Sequence, residues 1–358
     1  MRRPRLAFVG LGWIGAMRLE AAAGAGGAEV VALCDVSPSR LESTARSHSG
    51  AACFQEMDEL LARAADLRLD GVVIATPNAL HGPQSLAALE RGLAVFCQAP
   101  LALDAAQARA MVGAARQAGR RLGVDDSYRF TEGSRRLREL IAGGSLGRVF
   151  SVDTVFHNAY GPDKPWCFDP ALAGGGALMD QGVHLIDLAL WLLGDPEVKS
   201  VEGGTFRAGE AQRGVTVDDF ATARLELAGG AVVALAVSWN AHVGQDCVIR
   251  TAVFGTAGGA DLRNVGGSFY DFELACFDGR ATTIETRESR DWMGKAILHW
   301  VDRLAADPGF DPEVERSVAV SVVVDAIYGT TPRGGTGTPG SRAAAGTSGR
   351  PGSRAGDR

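Results

Sequence analysis

The sequence predicts an α/β chain of two domains: a doubly wound parallel sheet at the N-terminus, then an α+β domain with a large, mainly antiparallel open sheet. Three observations carry this. Short apolar runs alternate with helical patterns from residue 5 to about 124, the pattern of repeated βαβ units. Strand-like runs then follow one another through the segment 148–286 with few helices between them. The length of 358 residues exceeds one ordinary domain, and a hydrophobic content of 46% supplies side chains for more than one core.

The first unit is the most informative. Leu6-Ala7-Phe8-Val9 fits a buried strand and runs into Gly10-Leu11-Gly12-Trp13-Ile14-Gly15, followed by a helical pattern. In a Gly-x-Gly-x-x-Gly turn of this kind Gly10 permits the tight bend, Gly12 lets the backbone approach a pyrophosphate and Gly15 lets helix and strand pack closely. The first N–H groups of the helix then face the phosphates. With 47 glycines in the chain the motif alone is weak, but its place between strand and helix supports a dinucleotide site. So does Asp35, which ends a second strand-like run, Glu29 to Cys34, twenty residues after Gly15. A carboxylate there accepts from a ribose hydroxyl and repels a 2′-phosphate, which favours NAD, the competing role for Asp35 being a helix cap. Arg40 is close enough in sequence to meet a phosphate, so NADP stays open.

Later strands are expected at 71–75, 94–97 and 121–124, and helices at about 56–64, 79–91 and 104–118, with Gly92 and Gly119 as stops. Ligands of such a sheet lie beyond the carboxyl ends of its strands. That aligns the glycine turn, Asp35, Thr76-Pro77-Asn78 and Gln98-Ala99-Pro100 along one crevice. The first domain is set at 1–124.

The second domain is set at 125–330. A helix at about 132–143 leads to a strand at 148–156, then to a turn-rich loop holding Asn158, Tyr160, Lys164 and Trp166 and ending in Gly174-Gly175-Gly176. A strongly apolar helix follows at about 180–193, then strands at 198–207, 217–227, 231–239, 246–254, 258–264, 268–277 and 281–286, and two closing helices at 291–306 and 312–328. Residues 331–358 are almost devoid of large apolar side chains and read as a disordered tail.

Asp180 and His184, four apart at the start of the apolar helix, share a face, with Asp187 a turn beyond. Histidine is suited to taking a proton from a hydroxyl near neutral pH, and Asp180 to orienting the ring or holding a substrate. The pattern equally fits a buried histidine satisfied by its aspartate. Tyr128 and Arg129 reach the pocket or pack the domain junction; Trp239 and His242 end a sheet strand and reach either the pocket or a subunit contact.

Composition narrows the partners. A net charge of −6 gives no basic footprint for nucleic acid, and no apolar run is long enough for a membrane span. The six cysteines are scattered, which predicts neither a disulfide frame nor a metal site. Met1 to Arg5 imitates the start of a signal peptide, but the glycine turn interrupts the apolar run, and a cytoplasmic location is expected. Only three residues are lysine, Lys164, Lys199 and Lys295, which leaves few candidates for a job that needs an amine.

Together these motifs resemble the glucose–fructose oxidoreductase / inositol dehydrogenase / rhizopine-catabolism (Gfo/Idh/MocA) family over about residues 5–328. The likeness rests on Gly10 to Gly15, on Ala75-Thr76-Pro77-Asn78 with His81, and on the strand end at 98–101. It rests also on Gly174 to Asp187 and on Gly255-Thr256-Ala257-Gly258-Gly259. The resemblance implies an NAD(P)-dependent dehydrogenase with a Rossmann domain, acting on a CH–OH group of a sugar, cyclitol or related polyol. It implies a sheet whose outer face makes a homodimer or homotetramer. It places the cofactor against Gly10, Gly12, Trp13, Ile14, Gly15, Asp35, Arg40, Thr76, Pro77, Asn78, His81, Gln98 and Ala99. The substrate falls against Tyr128, Asn158, Tyr160, Lys164, Trp166, Asp180 and His184.

It also implies a catalytic Lys–Asp–His set, of which Asp180 and His184 match. The family's Glu-Lys-Pro reads Gln98-Ala99-Pro100 here, so the lysine position is Ala99. Losing such a positioned donor costs on the order of 100- to 1,000-fold in rate. Three accounts stand at this point: an engineered inactivation, a natural site in which another group such as Lys164 stands in, or a protein that binds NAD and sugar for regulation without turnover. NAD-assisted glycoside cleavage is a further alternative within the same fold.

Overall fold

A computed structural model describes residues 3–329; the tail expected at 331–358 lies outside the described residues. The first sheet comprises β1 (Arg5–Val9), β2 (Glu29–Cys34), β3 (Ala52–Phe54), β4 (Gly71–Ile74), β5 (Ala94–Cys97) and β6 (Leu122–Val124). Its strands run in the order β3-β2-β1-β4-β5-β6, with every neighbouring pair parallel. The order reverses between β1 and β4, which opens the crevice used for ligands in such sheets. β4 and β5 are buried along their whole length because helices cover both faces.

Alternate strand residues feed two apolar layers. Ala7, Val9, Val72, Ile74 and Val95 point to α3 (Met57–Ala62), α4 (Asn78–Glu90) and α5 (Ala105–Ala118). Leu6, Phe8, Val73 and Phe96 point to α1 (Trp13–Gly24) and α2 (Pro38–Ser47). Two elements go beyond those expected: β3, a half-exposed edge of three residues, and α2, whose first turn Ser37 caps and whose first position Pro38 occupies.

In the second half α6 (Glu132–Ala142), β7 (Val149–Asn158), the short α7 (Pro170–Ala173) and α8 (Val183–Leu192) precede a run of strands. These are β8 (Val198–Arg207), β9 (Glu210–Ala211), β10 (Phe220–Leu227), β11 (Val232–Ser238), β12 (Cys247–Gly255), β13 (Gly259–Asn264), β14 (Phe272–Asp278) and β15 (Ala281–Glu288). With β7 they form a nine-stranded sheet ordered β15-β14-β13-β12-β7-β11-β10-β8-β9. β7 and β11 run parallel and the other neighbours antiparallel. Helices α6, α8 and the final α10 (Arg316–Tyr328) cover its inner face. On other positions Phe150 is 45% and Phe254 38% exposed.

One helix departs from the linear order. α9 (Lys295–Ala306) leaves the second sheet and returns to the first, where Ile297, Trp300 and Leu304 join the layer of Leu6 and Phe96. The Trp300 and Phe96 rings lie 5.6 Å apart, and a Cβ on Gly123 would stand 2.4 Å from Trp300 Cδ1. Gly123 is therefore required by the indole. Trp300→Ala is expected to cost about 3–5 kcal/mol, read as a lower denaturant midpoint; an unchanged midpoint would show that α9 does not hold the first domain.

Candidate active site

A cavity of about 840 Å³ opens between the carboxyl ends of the first sheet and the second domain. Gly10 takes φ +86°, and a Cβ there would lie 2.5 Å from the Ala75 carbonyl oxygen. A Cβ on Gly15 would come within 1.9 Å of the Gly10 oxygen, whereas one on Gly12 would meet nothing within 4 Å. Gly10 and Gly15 are thus demanded by packing. The space beside Gly12, at the N-terminus of α1, is left for a ligand.

Asp35 is buried and engaged: its Oδ2 accepts from Leu11 N at 2.7 Å and its Oδ1 from Ser37 N at 2.8 Å. The carboxylate so braces the glycine turn while forming part of the cavity wall. Arg40 Nη1 stands 3.8 Å from it, with its side chain largely exposed. Trp13, 56% exposed, and Ile14 line the same region, as do Thr76, Pro77, Asn78, Gln98 and Ala99. Gln98 Oε1 is buried with no partner among the described residues. His81 is a correction: it is fully buried, outside the cavity wall, with Nδ1 2.7 Å from the Pro100 oxygen and Nε2 2.9 Å from the Thr76 oxygen. It fastens the two strand-end loops together.

The chemical half is carried by a turn that the 3.6-residue pattern does not reveal. Leu178–Gly182 is one π-helical turn, continuing into α8. Such turns widen a helix and are common at functional sites. Asp180 reaches the cavity from this turn and His184 from the first turn of α8 that follows it, but the two do not hydrogen-bond to each other. Instead Trp239 Nε1 donates to Asp180 Oδ2 at 3.0 Å. The His184 ring stands 5.5 Å from the Tyr128 ring and has no hydrogen-bond partner among the described residues. Enclosure by protein pushes Asp180 up and His184 down from their ordinary ranges, while their mutual attraction opposes both shifts.

Tyr128, Lys164 and Trp166 also line the cavity. Asn158 and Tyr160 do not and are corrected: Asn158 Oδ1 accepts from Tyr160 N and Gly161 N to make a turn, and Tyr160 is 58% exposed. Arg129 turns away to a buried ion pair with Asp187, and His157 to Ser238 Oγ at 2.8 Å. Arg18, on α1, lies in no motif, yet its guanidinium donates to Asp125 Oδ2, the Met293 oxygen and Ser127 Oγ. Its signal is an arginine on the buried face of α1, beside Gly15, Leu19 and Ala22. Phe269, Tyr270 and Trp292, far along the chain, complete the wall.

A glycine turn at a helix N-terminus, a carboxylate at the end of β2 and an acid–histidine pair across the cavity define an NAD-binding oxidoreductase. Residues 4–126 match the family model described as "Oxidoreductase family, NAD-binding Rossmann fold", and residues 134–261 match "GFO/IDH/MocA C-terminal domain". The chain belongs to the Gfo/Idh/MocA family. It is 26% identical to a D-glucoside 3-dehydrogenase of Escherichia coli K12 over 314 residues, 84% of this chain and 87% of that protein. It is 33% identical over 277 residues to a putative UDP-kanosamine synthase oxidoreductase subunit of Amycolatopsis mediterranei, 72% and 75% of the two chains. Among solved structures, GenD2 from gentamicin A biosynthesis in complex with NAD superposes with TM-score 0.74 at 26% identity, covering 92% of this chain and 94% of that one. Levoglucosan dehydrogenase in complex with NADH and levoglucosan shares the fold, with TM-score 0.76 at 23% identity over 92% and 97%. No helix among the described residues is long and apolar enough to cross a membrane.

The open space at Gly12 and the orphaned Gln98 oxygen fit a bound dinucleotide. Gly12→Ala should leave the melting temperature unchanged while weakening NADH binding about tenfold, ~1.4 kcal/mol, by fluorescence titration. Gly15→Ala should instead lower stability, since its Cβ collides with backbone. Equal behaviour of the two would remove the distinction. Trp239→Phe, which deletes a donor to Asp180, should raise the Asp180 pKa further in a carboxyl NMR titration.

Proposed function

We propose that this protein is an NAD-dependent dehydrogenase acting on a CH–OH group of a sugar-like or cyclitol-like polyol. The observation that carries the reading is the convergence of the glycine turn, Asp180, His184 and Lys164 on one cavity. The names of the relatives, dehydrogenases of glucosides, of inositol and of levoglucosan among them, support the substrate class.

A dinucleotide held by the Gly10–Gly15 turn, Asp35, Arg40, Thr76 to Asn78 and Gln98 supplies the hydride acceptor. The chain's own residues handle the proton. His184, kept neutral by its enclosure, takes the hydroxyl proton; Asp180, anchored by Trp239, holds a neighbouring hydroxyl and steadies the imidazolium that forms. Trp166 and Tyr128 present rings to the apolar faces of the substrate. The exposed Phe150 and Phe254 support self-association of the outer sheet face into a homodimer or homotetramer, and the fold suits a cytoplasmic enzyme.

Ala99 leaves the site without the amine expected at the end of β5. Lys164 is in the right cavity to replace it: its charge acts on Asp180, and the remaining lysines lie elsewhere, Lys199 paired with Glu197 and Lys295 at the start of α9. The missing amine also supports a second reading, a binding protein without turnover, whether by natural loss or by an engineered change. NAD reduction over a polyol panel separates the three. Lys164→Ala should abolish activity, by about 100-fold or more, if Lys164 stands in. Ala99→Lys should raise it by a similar factor if the site is simply disabled. Saturable NADH and polyol binding with no reduction in either form would establish the binding protein.

The pH dependence follows from His184. Only the neutral ring accepts a proton, so oxidation falls as pH drops through its pKa. Burial lowers that pKa, so the acid limb should lie below the ordinary histidine range near 6.5. An acid limb above that range would assign the base elsewhere.

A further inference from the structure

We infer that Asp126 relays the proton taken up by His184 to solvent, by way of two cavities behind the active site that share its walls. The inference rests on the dehydrogenase reading and adds a residue that acts through His184.

The path is visible in shared walls. Ala99, Pro100 and His184 line the main cavity and also a small inner one of about 20 Å³, enough for a single water molecule. Val124, Asp126 and Ser317 line that inner cavity and also an outer one of about 330 Å³, on the side of α6 and α9. The three cavities therefore share walls in sequence, with His184 between the first and second and Asp126 between the second and third.

Asp126 is chemically suited to the second shared wall. It stands 3.3 Å from Arg129 Nη2, but that guanidinium gives its closer contacts to Asp187. The charged groups around Asp126 are Asp125 and Arg129 on its own segment, Asp187 on α8 and Arg316 on α10, with Glu313 of the 312–315 turn reaching Arg129 at 3.9 Å. Burial and Asp187 outweigh the arginines and push its pKa up to about 7. A carboxyl there both accepts and releases protons at neutral pH, and the mechanism above otherwise leaves it unused.

The balance is simple. Oxidation of an alcohol gives up a hydride, which carries both C–H electrons, and one proton. The O–H bond breaks as His184 takes that proton. A water in the inner cavity receives it from the ring and passes one to the Asp126 carboxylate, which loses it to water in the outer cavity. Ring and carboxylate return to their starting forms, and nothing else is consumed.

The test is Asp126→Asn in the full-length protein, with Asp126→Glu as the conservative variant. Turnover should fall at least ~10-fold, with KM and NADH affinity unchanged, and added imidazole or formate should restore much of it. Asp126→Glu should keep most of the rate. In the cofactor-free wild type the Asp126 carboxyl should titrate near 7 by NMR. A loss with no buffer rescue and a parallel drop in stability would make Asp126 merely structural and overturn the relay. So would undiminished turnover of Asp126→Asn through the neutral range, or a carboxyl that titrates in the ordinary acidic range. If neither wild type nor Ala99→Lys reduces NAD with any polyol, the dehydrogenase reading fails and the relay with it, an outcome distinct from the others.

Discussion

The site depends on one buried carboxylate. Asp218 Oδ1 accepts from Gly176 N at 3.0 Å and from the Tyr328 hydroxyl at 2.7 Å, and its Oδ2 accepts from Leu178 N at 2.9 Å. Its own carbonyl oxygen accepts from Ala177 N at 2.8 Å. The triple-glycine turn is thereby pressed on the start of β10 so closely that a Cβ on Gly176 would lie 1.9 Å from the Asp218 oxygen. The π-turn begins at the next anchored residue, so the placement of Asp180 and His184 is inherited from Asp218. Tyr328 ties the last turn of α10 to the same point. An unpaired donor in so dry a place costs about 1–3 kcal/mol, which makes each bond at this node expensive to omit.

A second buried charge locks the floor of the cavity. Arg18 reaches from α1 to Asp125 after β6 and to the backbone just before α9. Three segments distant in sequence meet on one guanidinium. Removing either partner of such a pair leaves an uncompensated charge, which costs far more than the intact pair gains. The cofactor half of the cavity is therefore shaped by backbone collisions and this fixed pair, the chemical half by side chains on the π-turn and the start of α8. The two can fail separately. Ala99 alters the second and leaves the first untouched.

Much of this was legible in the sequence, for reasons that differ by element. The parallel sheet announced itself because strands buried on both faces are continuous apolar runs, as Gly71–Ile74 and Ala94–Cys97 are. The second sheet was legible from alternation, with Phe220–Leu227 exposing and burying by turns. β3 was too short and too exposed to give a period. The motif that holds His81 fixes a neighbourhood and not a direction: its ring points between loops. The same holds for Asn158, its side chain taken by its own turn. The π-turn left no trace, since one extra residue per turn is invisible in a hydrophobic pattern. Trp239 emerged as the partner of Asp180 only once β11 was folded beside it.

The return of α9 to the first sheet has a consequence for how the chain is made. Until residues near Trp300 leave the ribosome, the layer of Leu6, Phe8, Val73 and Phe96 has α1 and α2 over part of it and nothing over the rest. Emergence in sequence order thus does not complete the domains in sequence order. The Rossmann half, though synthesised first, must hold an uncovered apolar face in water while the entire second sheet is being built, and it closes only after that sheet. The segment that carries the substrate wall is also the tether that delivers the missing helix, so the first domain's layer is complete only after the second sheet has left the ribosome.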